Sequence, residues 1–215
     1  AADIFRDAHS MDTFSFSLPN GASVTIHGYT SDSDQVWTST GLTLWKASEH
    51  LCRYLTTNSE RLLQKDNERI LELGAGLGLV GIVASCLASK NSTVCLTDGD
   101  TNALSHLRKN IERNSSKHNT SCHQLLWGHD SATSFEKRHG GRFDLILASD
   151  ILYAPCVIDP LWDTIRALLD QQNGVFVMAF ATRKVKVTID DFIKAANEDF
   201  LHKFVYRNEG EGVFV

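Results

Sequence analysis

Glu72-Leu73-Gly74-Ala75-Gly76-Leu77-Gly78 is the stretch that decides how this chain folds. A short apolar run, Arg69-Ile70-Leu71, leads into it, and a second apolar run, Leu79 to Leu87, leaves it. Strand, glycine-rich turn and helix together form the layout by which a βα unit offers its backbone to a nucleotide-type ligand. The glycines let the chain turn sharply and approach that ligand with no Cβ in the way. Spacing leaves two ligand classes open. Gly76-Leu77-Gly78-Leu79-Val80-Gly81 matches the dinucleotide pattern G-x-G-x-x-G, and Asp98 stands seventeen residues beyond Gly81, near the roughly 20 expected of a ribose-binding acid. Glu72 points the other way. A carboxylate beside the turn repels a pyrophosphate, which seeks a helix N-terminus, and suits a ligand with a cationic end.

Outward from the turn, strand and helix patterns alternate. Strands are expected at Ile70–Leu73, Val94–Thr97, Cys122–Trp127, Phe143–Ser149 and Val175–Ala181, and helices at Leu79–Ala88, Thr101–Asn114, Ile158–Asp170 and Ile189–Asn197. Near-continuous apolar strands separated by helices imply a doubly wound α/β sheet. Leu201–Arg207 and Val213–Val215 add two closing strands, which makes seven. Before the turn, Thr13–Leu18 and Ser23–His27 alternate around Pro19-Asn20-Gly21 and read as a β-hairpin. Thr43–Leu55 carries apolar residues at helical spacing, and Thr56–Glu68 reads as a polar connection. The expected division is a hairpin extension over residues 1–42 and an α/β domain over residues 43–215.

Composition narrows the class. A chain of 215 residues that is 42% hydrophobic can bury one sizeable core. The net charge of −5 disfavours a nucleic-acid surface, which would be basic. No run approaches the 18 apolar residues of a membrane span. Five cysteines without a C-x-x-C, three of them in apolar patterns, read as thiols of a reducing compartment, cytoplasmic or nuclear. The nine histidines form no ligand-spaced cluster, so no metal is expected. Arg183-Lys184-Val185-Lys186 reads as a solvated basic loop, and Trp162 as packing.

In such a sheet ligands lie beyond the carboxyl ends of the strands, where strand order reverses. The first strand brings Glu72 and Gly74 there, the second Asp98 and Asp100, the third Trp127, and the fourth Ser149, Asp150 and Tyr153. Each of four strand ends thus presents a residue able to touch a ligand.

The phrases Gly41-Leu-Thr-Leu-Trp45-Lys-Ala, Glu72-Leu-Gly-Ala-Gly-Leu-Gly78, Leu96-Thr-Asp98-Gly-Asp100, Leu126-Trp127-Gly128 and Asp150-Ile-Leu-Tyr153 resemble methyltransferase family 16 over about residues 36 to 207. Within that family, Thr-Asp-Gly-Asp followed by Leu104-x-x-Leu107-Arg108-x-Asn110 is most similar to the calmodulin and elongation-factor lysine methyltransferases. The resemblance implies a Rossmann-like seven-stranded sheet, mostly parallel with the last strand antiparallel. It implies S-adenosylmethionine as cofactor, S-adenosylhomocysteine as product, and a lysine of a protein as acceptor, the enzyme acting as a monomer. By position, Glu72, Gly74 and Gly76 are expected to line the methionine part of the cofactor, and Asp98, with Asp100 as its understudy, to hold the ribose hydroxyls. Trp127 would border the adenine, Trp45 would cover the cofactor, and Ser149 would line it. Asp150 and Tyr153 would face the target lysine. Two positions depart from the family pattern: Leu126 stands where an Asp is usual, and Lys46 where Pro, Asp or Glu is frequent. A small-molecule or histidine methyltransferase, an NAD(P)-binding oxidoreductase and a non-catalytic module of the same fold are the rival readings.

Overall fold

The computed structural model describes residues 11–30, 40–114, 119–181, 187–196, 204–208 and 211–214, with side chains except at 119, 204–208 and 211–214. In chain order the elements are β1 (Asp12–Ser17), β2 (Ser23–Gly28), a 3-10 turn (Thr40–Leu42), α1 (Lys46–Thr57), α2 (Ser59–Leu62), β3 (Arg69–Leu73), α3 (Leu79–Leu87), β4 (Thr93–Asp98), α4 (Thr101–Asn114), β5 (Asn119–Gln124), α5 (His129–Arg138), β6 (Leu145–Ser149), a second 3-10 turn (Pro155–Val157), α6 (Ile158–Leu168), β7 (Val175–Ala181), α7 (Ile189–Ala195), β8 (Phe204–Asn208) and β9 (Glu211–Phe214).

Two sheets result. The large one has seven strands in the order β5-β4-β3-β6-β7-β9-β8, and β1 pairs with β2 in a separate hairpin. β5, β4, β3, β6 and β7 are mutually parallel, and β9 runs antiparallel to both β7 and β8. The expected seven strands, with the last one reversed, are therefore present. β3 leads outward through β4 to β5, and the chain then returns to β6 on the other side of β3. Strand order reverses between β3 and β6, and that places the ligand crevice there.

Side-chain alternation sorts the strand residues into two layers. Ile70, Val94, Leu96, Leu145, Leu147, Val177 and Ala179 join α1, α3, α4 and the hairpin in one apolar cluster. Leu71, Leu73, Cys95, Ile146, Ala148, Phe176 and Met178 join α5, α6 and α7 in the other. Trp162 is buried there as core, stacked on Phe192 with centroids 4.4 Å apart and its Nε1 donating to the Phe192 carbonyl. Among the described residues no helix is long and apolar enough to cross a membrane.

Most expected elements fall within a residue or two of their observed bounds, the ordinary uncertainty of an element's end. Three corrections go further. The third sheet strand ends at Gln124 rather than Trp127, so Leu125-Leu126-Trp127 is strand-end loop. α1 starts at Lys46, not Thr43, and runs on to Thr57. The supposed polar connection after it holds α2, whose Leu62 is buried beside Leu63. α5 was not anticipated. Its sequence buries only Ala132 and Phe135, too few apolar positions to register as a helical stripe. The basic cluster at 183–186 lies outside the described residues, as do the ends of the last helix and of the two closing strands as expected.

The hairpin does not hang free. Val24 and Ile26 of β2 are fully buried against the α3–α4 side of the sheet. Its open edge faces α4, where two asparagines one helical turn apart act as surrogate strand partners. Asn110 Oδ1 accepts from the His27 N–H at 3.0 Å and its Nδ2 donates to the His27 carbonyl at 3.1 Å. Asn114 does the same for Thr25, at 2.8 and 2.7 Å. A side-chain amide has the donor and acceptor of a peptide group, so each satisfies one residue of the edge. Asn110 also donates to the Leu77 carbonyl at 3.0 Å, which ties the hairpin to the glycine turn. Asn110 is 1% exposed, so Asn110→Ala strands the buried Leu77 carbonyl and the partly buried N–H and carbonyl of His27. We expect a loss of about 2–3 kcal/mol, roughly 4–12 °C in Tm, with Asn114→Ala milder, both read by thermal denaturation.

Candidate active site

β3 delivers its last residues into the reversal point, and the turn that follows is cut to fit. Gly74 has φ of 62° and Gly76 of 51°, values that L side chains adopt at a cost. A Cβ at Gly74 would stand 2.7 Å from Ile151 Cγ2, and one at Gly76 would stand 2.9 Å from the Gly41 carbonyl oxygen. Both positions thus demand glycine on conformation and on space.

Asp98, at the end of β4, fixes the turn. Its Oδ2 accepts from the Gly76 N–H at 2.9 Å and its Oδ1 from the Asp100 N–H at 2.9 Å. Ala75 N donates to the Thr97 carbonyl at 2.8 Å, so the two strand ends are stitched together. Burial pushes the Asp98 carboxyl up from the usual range, and these two N–H groups, with that of Gly99, oppose that rise. Asp100 has a different occupation. Its Oδ1 accepts from the Asn102 N–H at 2.8 Å and so caps the start of α4.

Glu72 is 1% exposed, with Oε2 accepting from the Gly81 N–H at 2.8 Å. The carboxyl therefore bridges β3 to α3. Burial raises its pKa to about 8, against the lowering effect of the Gly81 N–H. Gly81 is required for this contact, because a Cβ there would stand 2.6 Å from Glu72 Oε2.

From β6 come Ser149, Asp150 and Tyr153. Asp150 has φ of 59°, one of two non-glycine residues with positive φ among those described, and its N–H donates to the Ala179 carbonyl at 2.9 Å. Asp tolerates this region better than most residues, and strain of this kind gathers at functional positions. Tyr153 is 58% exposed, and its ring centroid lies 6.5 Å from that of Trp127. Partial burial pushes its phenol up, so it is neutral at pH 7. Trp127 is half-buried, and the next residue is anchored by Gly128 N–H donating to Thr164 Oγ1 at 2.8 Å. Leu126, next in the loop, is 60% exposed.

The fourth wall is N-terminal. Trp45 sits at the N-cap of α1, and its Nε1 donates to the Thr40 carbonyl at 3.0 Å. The strap from Thr40 to Trp45 is braced by Tyr29: Tyr29 N donates to the Leu42 carbonyl at 2.8 Å, and Leu44 N to the Tyr29 carbonyl at 2.9 Å.

These walls enclose a cavity of about 570 Å³, within the range of small-molecule sites. Trp45, Glu72, Gly74, Gly76, Asp98, Asp100, Trp127, Ser149, Asp150 and Tyr153 all line it. The structure thus gathers every residue singled out from the sequence. It adds Gly41, Thr43 and Ser48 from the strap and the start of α1. Thr43 is 4% exposed, and its Oγ1 has no hydrogen-bond partner among the described residues. A buried hydroxyl left so costs about 1–3 kcal/mol. No sequence signal marks it, because a threonine before a helix reads as an ordinary capping residue. Among the described residues no group of three His, Cys, Asp or Glu is arranged to hold a metal ion.

A glycine turn pinned by an acid, with a second acid in a strained conformation one strand away, is an arrangement several ligand classes could use. Comparison with known proteins narrows it: the family model described as lysine methyltransferase matches residues 30–203. The chain belongs to the lysine methyltransferase family. It is 33% identical over 161 residues to the protein-lysine N-methyltransferase EFM3 of Chaetomium thermophilum, covering 73% of this chain and 47% of that one. It is 32% identical to the protein N-lysine methyltransferase METTL21A of Xenopus tropicalis, covering 84% and 79%. It is 27% identical to the calmodulin-lysine N-methyltransferase of Arabidopsis thaliana, covering 79% and 54%. The chain spans about half the length of the first and third of these relatives. Among solved structures, the T. thermophilus 16S rRNA N2 G1207 methyltransferase RsmC superposes with a TM-score of 0.62 at 20% identity, over 95% of this chain and 50% of that one. This likeness establishes the methyltransferase fold.

The two buried acids of this lysine methyltransferase family member carry a pH signature. Glu72 at about 8 and Glu68, raised by burial to about 7, both lie above the value of about 4.5 for a free carboxyl. Between those limits the unfolded chain is ionised and the folded one protonated, so folding stability falls as pH rises from about 4.5 to about 8. Glu68→Gln removes one such group, whose Oε2 is buried with no hydrogen-bond partner among the described residues. We expect this variant to melt roughly 2–4 °C above the wild type at pH 8, about 1 kcal/mol, with the gap closing at pH 4.5.

Proposed function

We propose that this chain is an S-adenosylmethionine-dependent methyltransferase that methylates a lysine side chain of a protein. The observation that carries the reading is the position of Asp98. Its two oxygens each hold one backbone N–H, and a carboxylate has about four lone-pair sites. The Gly99 N–H also acts on this carboxyl, and its remaining acceptor capacity lies at the cavity, where it can accept from the ribose hydroxyls.

The rest of the cavity suits the same cofactor. Gly74 and Gly76 present bare backbone to the cavity, their Cβ directions being taken up by Ile151 and the Gly41 carbonyl, and the orphaned Thr43 hydroxyl wants a polar partner. Burial leaves the Glu72 carboxyl mostly protonated at pH 7 in the ligand-free chain. An ammonium and a sulfonium beside the turn favour its charged form while a pyrophosphate opposes it, which counts against the NAD(P) reading. Trp127 and Leu126 offer apolar area for a purine base. When bound, the cofactor supplies a methyl group activated by its sulfonium.

The chain's own residues supply position. A free lysine has a pKa of about 10.4, so the acceptor arrives protonated and must lose a proton to attack. Asp150, held at the cavity by its backbone bond to β7, accepts a hydrogen bond from the acceptor nitrogen and aims its lone pair. A carboxylate also stabilises the ammonium, so the proton leaves to water and Asp150 serves as orienting group. Tyr153 and Trp127 wall the approach. Such positioning accounts for up to roughly 7–11 kcal/mol of barrier in favourable cases.

That relatives are named protein-lysine methyltransferases supports a protein acceptor. Five free thiols support a reducing compartment, the cytoplasm or nucleus, and a net charge of −5 supports a surface that avoids nucleic acid; we take the chain to act as a monomer. Calorimetry and a labelled-methyl assay on cell lysate test the reading. Asp98→Ala is expected to weaken S-adenosylhomocysteine binding roughly a hundredfold or more, two hydrogen bonds to a charged group being lost. Asp150→Ala is expected to bind within about threefold of wild type but to lower methyl transfer by about 10²-fold or more. A folded wild type that binds no S-adenosylhomocysteine overturns the proposal.

A further inference from the structure

We propose that Thr43 is a contact residue for the amino-acid end of the cofactor, an inference that rests on the S-adenosylmethionine reading above. Three observations carry it. Thr43 lines the cavity, yet its Oγ1 is buried and finds no hydrogen-bond partner among the described residues. A buried hydroxyl without a partner is rare in a folded chain and calls for an explanation. Valine has nearly the same shape and would fill the site without that cost.

The backbone at Thr43 is fixed rather than loose. Its two chain neighbours are both bonded to Tyr29, Leu42 through its carbonyl and Leu44 through its N–H, so the strap cannot simply turn to relieve the hydroxyl. The side chain can. A turn of about 120° around χ1 carries the hydroxyl to another staggered well, into the place the methyl or the hydrogen held on Cβ. That motion presents Oγ1 to a ligand without moving the backbone.

The fold decides which end of the cofactor Thr43 meets. The ribose-binding Asp98 is on β4, and the apolar Leu126 and Trp127 follow β5, on one side of β3. The strap starts with its Thr40–Leu42 turn against α4 on the β4 side, and from Thr43 it leads into α1, which packs on α3, β7 and β9 and so covers the opposite side. A nucleoside seated over β4 and β5 therefore directs its amino-acid chain across β3 toward the strap. There Thr43 can donate to the carboxylate or accept from the ammonium, since a hydroxyl does either. Ser48, also lining the cavity, is not an equivalent candidate because its Oγ already donates to the Trp45 carbonyl at 2.6 Å.

Calorimetry with two ligands separates the outcomes. S-adenosylhomocysteine carries the amino-acid end, and 5′-methylthioadenosine lacks it. Thr43→Val is expected to bind S-adenosylhomocysteine about tenfold more weakly and 5′-methylthioadenosine as the wild type does, while Thr43→Ser keeps both affinities. The ligand-free Thr43→Val protein is expected to melt no lower than the wild type, since an orphaned hydroxyl has been removed. Unchanged S-adenosylhomocysteine binding in Thr43→Val overturns the proposal, as does an equal loss for both ligands, which would mark a packing defect in the strap. A wild type that binds neither ligand instead overturns the cofactor reading itself.

Discussion

Both oxygens of Asp98 are engaged by backbone N–H groups, one from the turn after β3 and one from the residue that starts α4. A single side chain therefore sets the distance between two neighbouring strand ends and the direction in which each chain leaves the sheet. Around it, Ala75 N bonds the Thr97 carbonyl and Thr97 Oγ1 donates to the Glu72 carbonyl at 2.7 Å. The turn's left-handed glycines cost conformational entropy, and these bonds hold them in place. Everything the cavity offers is positioned relative to this acid. Its desolvation is tolerated because the N–H groups of Asp100, Gly76 and Gly99 stabilise the charge.

A second layer of support comes from outside the α/β sheet. A two-stranded hairpin is marginal by itself, and this one gains stability from the buried faces of Val24 and Ile26 and from the Asn110 and Asn114 amides. In return, Tyr29 at the hairpin's end braces the strap that carries Thr43 and Trp45. Asn110 belongs to both circuits, since it also bonds the Leu77 carbonyl inside the glycine turn. The hairpin thus bears on ligand binding without lining the cavity.

The sheet was legible because buried parallel strands announce themselves: β6 is Leu-Ile-Leu-Ala-Ser, and β7 was placed at its observed bounds. Nine of the ten cavity residues were legible for a related reason, since topology sends every parallel strand's carboxyl end to one crevice; Trp45, at the start of α1, was legible only through the family resemblance. What escaped notice lacks such periodicity. α5 shows two buried residues in ten, and its start depends on the Gly128 anchor to Thr164, a contact 36 positions away in sequence. The end of β5 was set three residues too late, because Leu125 and Leu126 look like strand. Leu126 is in fact left in the open at the cavity mouth. Thr43 escaped because being unpartnered is a property of the packed state alone.

The described cavity holds three features that work against the folded chain by itself. Glu72 is a carboxyl buried with one N–H for company, Asp150 occupies a left-handed conformation, and the Thr43 hydroxyl is unpaired. Each is of the kind that costs on the order of 1–3 kcal/mol, and none is needed to build the sheet. An apolar residue at 43, an amide at 72 and a glycine at 150 would each suit the sheet as well or better. Their common location is the argument: a destabilising group retained once can be accident, but three lining one crevice mark it as shaped for a ligand rather than for folding. A ligand that pairs with the Thr43 hydroxyl and the Glu72 carboxyl then offsets those two penalties, and the folded chain gains most where the site was least comfortable without it.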